Sequence, residues 1–229
     1  MNLKEKKYLL LDLDGVCYGK HNNYSLEKVF GQVSQRMTSF ISKRLKIDIN
    51  AAKKLQTEYF YKYNTSLNGL MMHHDIPPQE FLKYVHTIDL SFMKEDKVMR
   101  SELEQLKMEK FIFTNGSAEH AENILSHLGI YDLFGREKIF DIQDAGYVPK
   151  PEAKTFDSMV EKFGINPKET IYIEDIAKNL SIGYKRGCTT VWLINDEHFG
   201  KMDSEKDYIS HKIENLSLFL KEIRLLKSN

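Results

Sequence analysis

Four short apolar runs, set apart by longer helical stretches, constrain this chain more than any other feature. They are Tyr8 to Leu13, Lys110 to Phe113, Thr170 to Ile173 and Thr189 to Leu193. Each is too short for a stable helix and rich in leucine, β-branched or aromatic residues, so each is read as a buried strand. Strands that alternate with helical patterns build a parallel sheet covered on both faces. A fifth run, Lys138 to Ile142, is a weaker strand candidate. The expected fold is α/β, a doubly wound Rossmann-like parallel sheet.

The intervening stretches carry apolar residues at spacings of three and four. Ala118, Ala121, Ile124, Leu125 and Leu128 form one stripe before Gly129; Phe156, Met159, Val160 and Phe163 form another before Gly164. Such stripes are the buried faces of amphipathic helices, and glycine is the residue expected just past a helix end. A third stripe, Ile213, Leu216, Phe219, Leu220, Ile223 and Leu226, predicts a C-terminal helix. Trp192, inside a strand run, is expected in the core.

Residues 19–97 break the alternation directly after the first strand. They show helical periodicity, many aromatics and no convincing strand, and Pro77-Pro78 followed by Gln79-Glu80 has the make-up of a helix start. This segment is expected to be an all-helical subdomain inserted into a core formed by residues 1–18 and 98–229.

Composition narrows the range of function. The 229 residues include 33 basic and 33 acidic ones, so the electrostatic footprint of a nucleic-acid binder is missing and no polymeric nucleic-acid partner is expected. Two cysteines, Cys17 and Cys188, suit a reducing compartment. The first apolar run is too short for a signal sequence or a membrane span, so a cytoplasmic protein without a membrane partner is expected. Self-association is left open between a monomer and a weak dimer.

Ligands of α/β sheets bind beyond the carboxyl ends of the strands, and there this chain concentrates its reactive side chains. The first strand runs into Asp12-Leu13-Asp14-Gly15, whose alternation puts two carboxylates on one side and whose glycine permits a sharp turn. The second runs into Thr114-Asn115-Gly116-Ser117, where hydroxyl, amide and backbone donors at a helix start can cradle a phosphate. Lys150, held between Pro149 and Pro151, offers an ammonium of restricted geometry. Glu174 and Asp175 end the third strand.

Four carboxylates gathered in one place repel one another unless a cation intervenes, and a hard divalent ion, Mg²⁺, fits oxygen ligands. The expected metal ligands are Asp12, Glu174, Asp175 and Asp14, the last through its backbone carbonyl. The reaction that uses these groups is phosphoryl transfer. Asp12 attacks phosphorus, Asp14 exchanges a proton with the leaving oxygen and then with water, and Lys150 and Thr114 stabilise the charge. His73-His74 beside Asp75 lack the spacing of a helix-borne metal pair and are read as ordinary residues of the insertion.

The order Asp12-x-Asp14-Gly15, Thr114-Asn115, Lys150-Pro151, Glu174-Asp175 resembles the four motifs of the haloacid dehalogenase-like hydrolase superfamily and spans almost the whole chain. An insert directly after the first motif resembles the helical caps of that superfamily, which close over the site and help choose the substrate. Within it, Tyr63 to Leu70, Phe81-Leu82 through Asp89-Leu90, Phe113-Thr114-Asn115 with His120-Ala121, and Asp175-x-x-x-Asn179 are similar to the pyrimidine 5′-nucleotidase branch. After Asp14 that group has Asn-Thr-Leu-Tyr, whereas this chain has Gly15-Val16-Cys17-Tyr18 and keeps only the tyrosine.

The resemblance implies a Mg²⁺-dependent phosphomonoesterase acting on a small phosphorylated metabolite, with a pyrimidine nucleoside 5′-monophosphate the leading substrate. Tyr63, Thr65, Ser66 and Asn68 are the expected base-binding residues, Asn115 and Gly116 the expected phosphate contacts, and Asn179 a supporting residue. A sugar phosphomutase of the same superfamily is the enzymatic alternative. A non-catalytic phosphate-binding module is the alternative outside enzymology.

Overall fold

The computed structural model describes residues 3–22, 26–194 and 198–228. All five predicted strands form: β1 (Tyr8–Leu11), β2 (Glu109–Phe113), β3 (Ile139–Phe140), β4 (Thr170–Glu174) and β5 (Thr189–Leu193). A short edge strand, β6 (His211–Ile213), is unexpected, and it takes Ile213 out of the predicted C-terminal helix, which begins at Leu216. The sheet order is β3-β2-β1-β4-β5-β6, and every pairing is parallel. This is the doubly wound order, in which the chain reverses direction across the sheet between β1 and β4.

Alternate residues of each strand feed two separate cores. Leu9, Leu11, Ile112, Ile171, Ile173 and Val191 pack under α5 (Lys97–Gln105), α6 (Ala118–His127) and α10 (Leu216–Ser228). Leu10, Phe111, Phe113, Tyr172 and Trp192 face the other way, toward α7 (Ala153–Phe163) and α8 (Leu180–Lys185). A strand buried on both faces has no polar alternation, which is why these segments read as continuous apolar runs. The helices stop where expected: Gly164 closes α7 in a left-handed conformation with φ of 62°.

Between β1 and α5 the described residues build four α-helices, α1 (Leu26–Leu45), α2 (Ile49–Tyr63), α3 (Ser66–His74) and α4 (Pro78–Val85). Local chemistry sets their starts. Asp48 accepts from the amides of Asn50 and Ala51, Thr65 accepts from that of Asn68, and Pro78 occupies the first turn of α4. Their shared interior includes Phe40, Ile41, Tyr59, Leu70 and Phe81, with Phe40 and Phe81 edge to face at 5.2 Å. Asn22 bridges the entry and exit of this insertion, donating to the Cys17 carbonyl and to Asp96. A short helix, α9 (His198–Lys201), follows β5. Among the described residues, no helix is long and apolar enough to cross a membrane.

Candidate active site

The ends of β1 and β4 flank the point where strand order reverses, and the predicted acids lie there. Asp12 extends the β1 ladder by one bond, its amide donating to the Ile173 carbonyl, so its side chain emerges at the sheet edge, 6% exposed. Lys150 Nζ reaches it at 2.6 Å, and donates equally closely to Glu174 and at 2.8 Å to the Phe113 carbonyl. The lysine loop is itself pinned by Asn115, whose Oδ1 accepts the Lys150 amide at 2.9 Å. Asn115 therefore spends its carbonyl on positioning the lysine.

Glu174 is completely buried and heavily bonded. Its Oε1 accepts from Lys150, Tyr172 and Asn179, and its Oε2 from the Ile176 amide. With its oxygens so engaged, Glu174 serves first to hold Lys150, and Asn179 supports it. Asp175 is 3% exposed, and its carbonyl accepts from the Trp192 indole at 2.8 Å. Trp192 is thus in the core, as expected, and also orients the acid that precedes the β4 to α8 turn.

Three carboxylates, not four, converge. Oxygens of Asp12, Glu174 and Asp175 lie within 4.8 Å of one another. Asp14 departs from the expected cluster because its side chain turns to Tyr18, whose hydroxyl donates at 2.5 Å, and to His120 Nε2 at 2.9 Å. The carboxyl of Asp14 is therefore not part of the cluster formed by Asp12, Glu174 and Asp175. Burial and the charge of Glu174 push the Asp12 carboxyl up to about 8, although Lys150 pulls it down. One lysine does not compensate three buried acids, and a divalent cation would. The hard oxygen donors of Asp12 and Asp175 suit Mg²⁺.

Asp14 behaves oppositely. Burial raises its pKa, but His120, the Tyr18 hydroxyl and His86 outweigh that and hold it down at about 2. His86 is held well below the usual imidazole range by burial and by the neighbouring His120. Thr114 Oγ1 accepts the Gly116 amide at 2.9 Å, and Ser117 caps α6.

Above these residues lies a cavity of about 380 Å³ whose floor is Asp12, Asp14, Thr114, Asn115, Gly116, Lys150 and Asp175. The four-helix insertion supplies most of its upper wall, including Phe30, Met37, Gln56, Phe60, Tyr61 and Asn64. Lys178 of the core closes one side by donating to Asn64 at 2.8 Å, and Phe60 meets Phe199 of α9 edge to face.

A model of the haloacid dehalogenase-like hydrolase family matches residues 6–183, most of the chain. The chain belongs to that family. As a haloacid dehalogenase-like hydrolase it resembles Phosphate metabolism protein 8 of Saccharomyces cerevisiae, with 25% identity over 211 residues. That alignment covers 85% of this chain and 64% of the yeast protein, so the chain spans less than two thirds of its curated relative. A HAD phosphatase from Thermococcus onnurineus superposes with a TM-score of 0.62 at 18% identity, covering 95% of this chain and 97% of its own. The putative HAD-hydrolase YfnB from Bacillus subtilis, bound to magnesium, gives 0.56 at 16% identity, covering 96% and 99%. These structures share the fold of this hydrolase.

The expected base-binding residues divide. Thr65 and Ser66 line the cavity of the hydrolase, while Tyr63 and Asn68 do not. The reason is the turn from α2 to α3: Asn64 adopts a left-handed conformation, Tyr63 turns its hydroxyl to His73 at 2.6 Å, and Asn68 donates to the Tyr63 carbonyl. Both side chains staple the turn. Ser66, though at the wall, donates its hydroxyl to the Gln56 carbonyl. His73 and His74 pair with Tyr63 and Tyr59 through hydrogen bonds, in keeping with a packing role.

Tyr18, His86 and His120 were missed as site residues. Tyr18 sits four residues beyond Asp14, and His120 three residues beyond the cap Ser117, on the turn of α6 nearest the strand ends. The available signal is that all three lie in the stretches compared with the pyrimidine 5′-nucleotidase branch, Tyr18 and His120 by name and His86 between Leu82 and Asp89.

Proposed function

We propose that this hydrolase is a Mg²⁺-dependent phosphomonoesterase that works through an aspartyl-phosphate, with the helical insertion as its cap. The observation carrying this reading is Asp12. It is held by Lys150 at 2.6 Å on the floor of a cavity that also presents Asp14, Thr114 and the Gly116 segment. A carboxylate fixed beside a cation site, with a second acid two residues on, fits nucleophile and general acid.

Asp12 and Asp175 would hold the Mg²⁺, which supplies charge neutralisation of the phosphoryl oxygens and of the acid cluster when bound. An Asp12 oxygen attacks phosphorus, the bond from phosphorus to the ester oxygen breaks, and the departing alkoxide takes the proton of the Asp14 carboxyl. Water then attacks the same phosphorus, gives one proton back to Asp14, and frees Asp12 and inorganic phosphate. Lys150 and Thr114 stabilise the equatorial oxygens. Asp14 is ionised in the resting protein; the negative phosphate beside it raises its proton affinity as substrate arrives, and the proton it then carries comes from solvent water or from the phosphate monoanion itself.

The preferred substrate is a nucleoside 5′-monophosphate, with pyrimidines the first to test. Phe30, Phe60, Tyr61 and Phe199 offer apolar faces for a base, and Gln56 and Asn64 offer amides. The cavity volume lies in the range of roughly 300–1,000 Å³ found for small-molecule sites. The name of the yeast relative, a phosphate metabolism protein, accords with phosphate ester chemistry.

Release of inorganic phosphate from nucleoside monophosphates and short alkyl phosphates, with Mg²⁺ and with chelator, tests the reading. Mg²⁺-dependent release that favours nucleotides is expected. Release unaffected by chelator would overturn the metal role, and no preference for nucleotides would reduce the assignment to a phosphatase of another substrate.

A further inference from the structure

Two donors converge on one oxygen of Asp14. The Tyr18 hydroxyl at 2.5 Å and His120 Nε2 at 2.9 Å both meet Oδ1. Oδ2 lies on the side of Gly116, which lines the cavity floor, and among the described residues no hydrogen bond to it is formed. A carboxyl whose Oδ1 already accepts two hydrogen bonds carries its proton on Oδ2, the oxygen that faces the substrate.

His120 is held in turn by the insertion. Its ring, 2% exposed, stacks on His86 with centroids 4.3 Å apart and planes within 15°. His86 caps the C-terminus of α4, its amide donating to the Leu82 carbonyl, and its Nδ1 lies 2.8 Å from Ser117 Oγ. Ser117 Oγ also accepts the His120 amide, so the two histidines share one anchor. The second ring nitrogen of His120, Nδ1, is buried without a hydrogen-bond partner. Among the described residues, the one hydrogen bond that the His120 ring makes is therefore the one to Asp14.

We propose that His120 is a positioning residue that aims the proton-bearing oxygen of Asp14 at the leaving group, and that His86 makes this aim depend on the seated helical insertion. The proposal rests on the reading of Asp14 as general acid. The helices that enclose the substrate then also complete the acid, so proton delivery is best organised when the cavity is roofed.

General acid assistance matters most when the leaving group is basic. The test compares a short alkyl phosphate with an aryl phosphate whose phenol is acidic, using the full chain with Mg²⁺. D14N serves as the reference and is expected to lose roughly 100-fold or more in kcat/KM, which reports the step that expels the leaving group, on the alkyl ester, and far less on the aryl ester, and the same quantity is compared in every variant. H120A should show the same skew, about 10-fold or more against the alkyl ester and within about 3-fold on the aryl ester. His120→Gln, whose amide can still donate to Oδ1, should restore most of the alkyl rate. If the alanine variant does not fold, His120→Asn takes its place, because its shorter amide does not reach Oδ1. His86→Ala should show a smaller skew that His86→Phe, retaining a stacked ring, removes.

Skewed loss in D14N with equal losses on both esters in H120A would overturn the positioning role alone. An unskewed D14N would overturn the acid itself, and the proposal with it. No skew in His86→Ala would remove the insertion from the device.

Discussion

Gly15 and Asp175 share space that only a glycine leaves open. Gly15 has φ of 84°, and a Cβ built on it would overlap the Asp175 carboxylate. The turn that follows β1 is therefore shaped around the acid from β4, and the two ends of the proposed metal site are made mutually dependent.

Gly15→Ala should consequently damage the site more than the fold. The positive φ costs an L-residue about 1–3 kcal/mol, a loss the two cores can absorb. Displacement of Asp175 by about an ångström should lower kcat roughly 100-fold. Thermal melting and phosphate release measure the two effects, and turnover near that of the wild type would contradict the shared geometry.

Lys150 neutralises two buried acids at 2.6 Å each. Lys150→Met leaves Asp12 and Glu174 uncompensated, and breaking a buried pair in this way costs about 3–5 kcal/mol. Denaturant titration without Mg²⁺ should show that loss. The double variant Lys150→Met/Glu174→Gln should recover a large part of it, since one of the stranded charges is gone. Neither variant should turn over, because the ammonium that holds Asp12 in place is absent from both.

The raised pKa of Asp12, about 8, sets a pH dependence. An unfolded aspartate titrates near ~3.9, so between these values the folded chain binds a proton that the unfolded chain has released, and stability falls as pH rises. His86 and His211 have lowered pKa values through burial, so they add stability as pH climbs toward the ordinary histidine range and then fall silent. Asp14, held at about 2, is ionised in both states at neutral pH. From about pH 7 to about pH 8 the melting temperature of Mg²⁺-free protein should therefore decline, and saturating Mg²⁺ should remove the decline. A flat profile in chelator would contradict the crowded acid cluster.

Substrate choice should follow the cavity wall and not the α2 to α3 turn. Phe60→Ala should lower kcat/KM for a nucleoside monophosphate by roughly 10-fold, as for an aromatic contact of about 1 kcal/mol plus lost burial, with little effect on a short alkyl phosphate. Tyr63→Phe and Asn68→Ala should leave that ratio unchanged and lower the melting temperature. A change of ratio in the turn variants would restore Tyr63 and Asn68 as base readers.

The sheet and the linear order of the site were legible in the sequence because both are local properties. A strand buried on two faces must be apolar along its length, so five strands could be found from composition alone, and Asp12, Thr114, Lys150 and Glu174 stood out by lying just beyond or between such runs. β6 escaped because its three residues, half-buried at best, carry no apolar run and become a strand only by pairing with β5. Asn115 and Trp192 could be placed in loop and core, but their hydrogen bonds to the Lys150 amide and the Asp175 carbonyl join residues far apart in the chain. The direction of each side chain at the α2 to α3 turn was likewise undecided, since one left-handed residue, Asn64, sends Tyr63 toward His73. Most of all, the stack of His86 on His120 and the grip of His120 on Asp14 exist only where the insertion meets the sheet. Periodicity records which face of an element is buried; what that face meets is decided when separate elements pack.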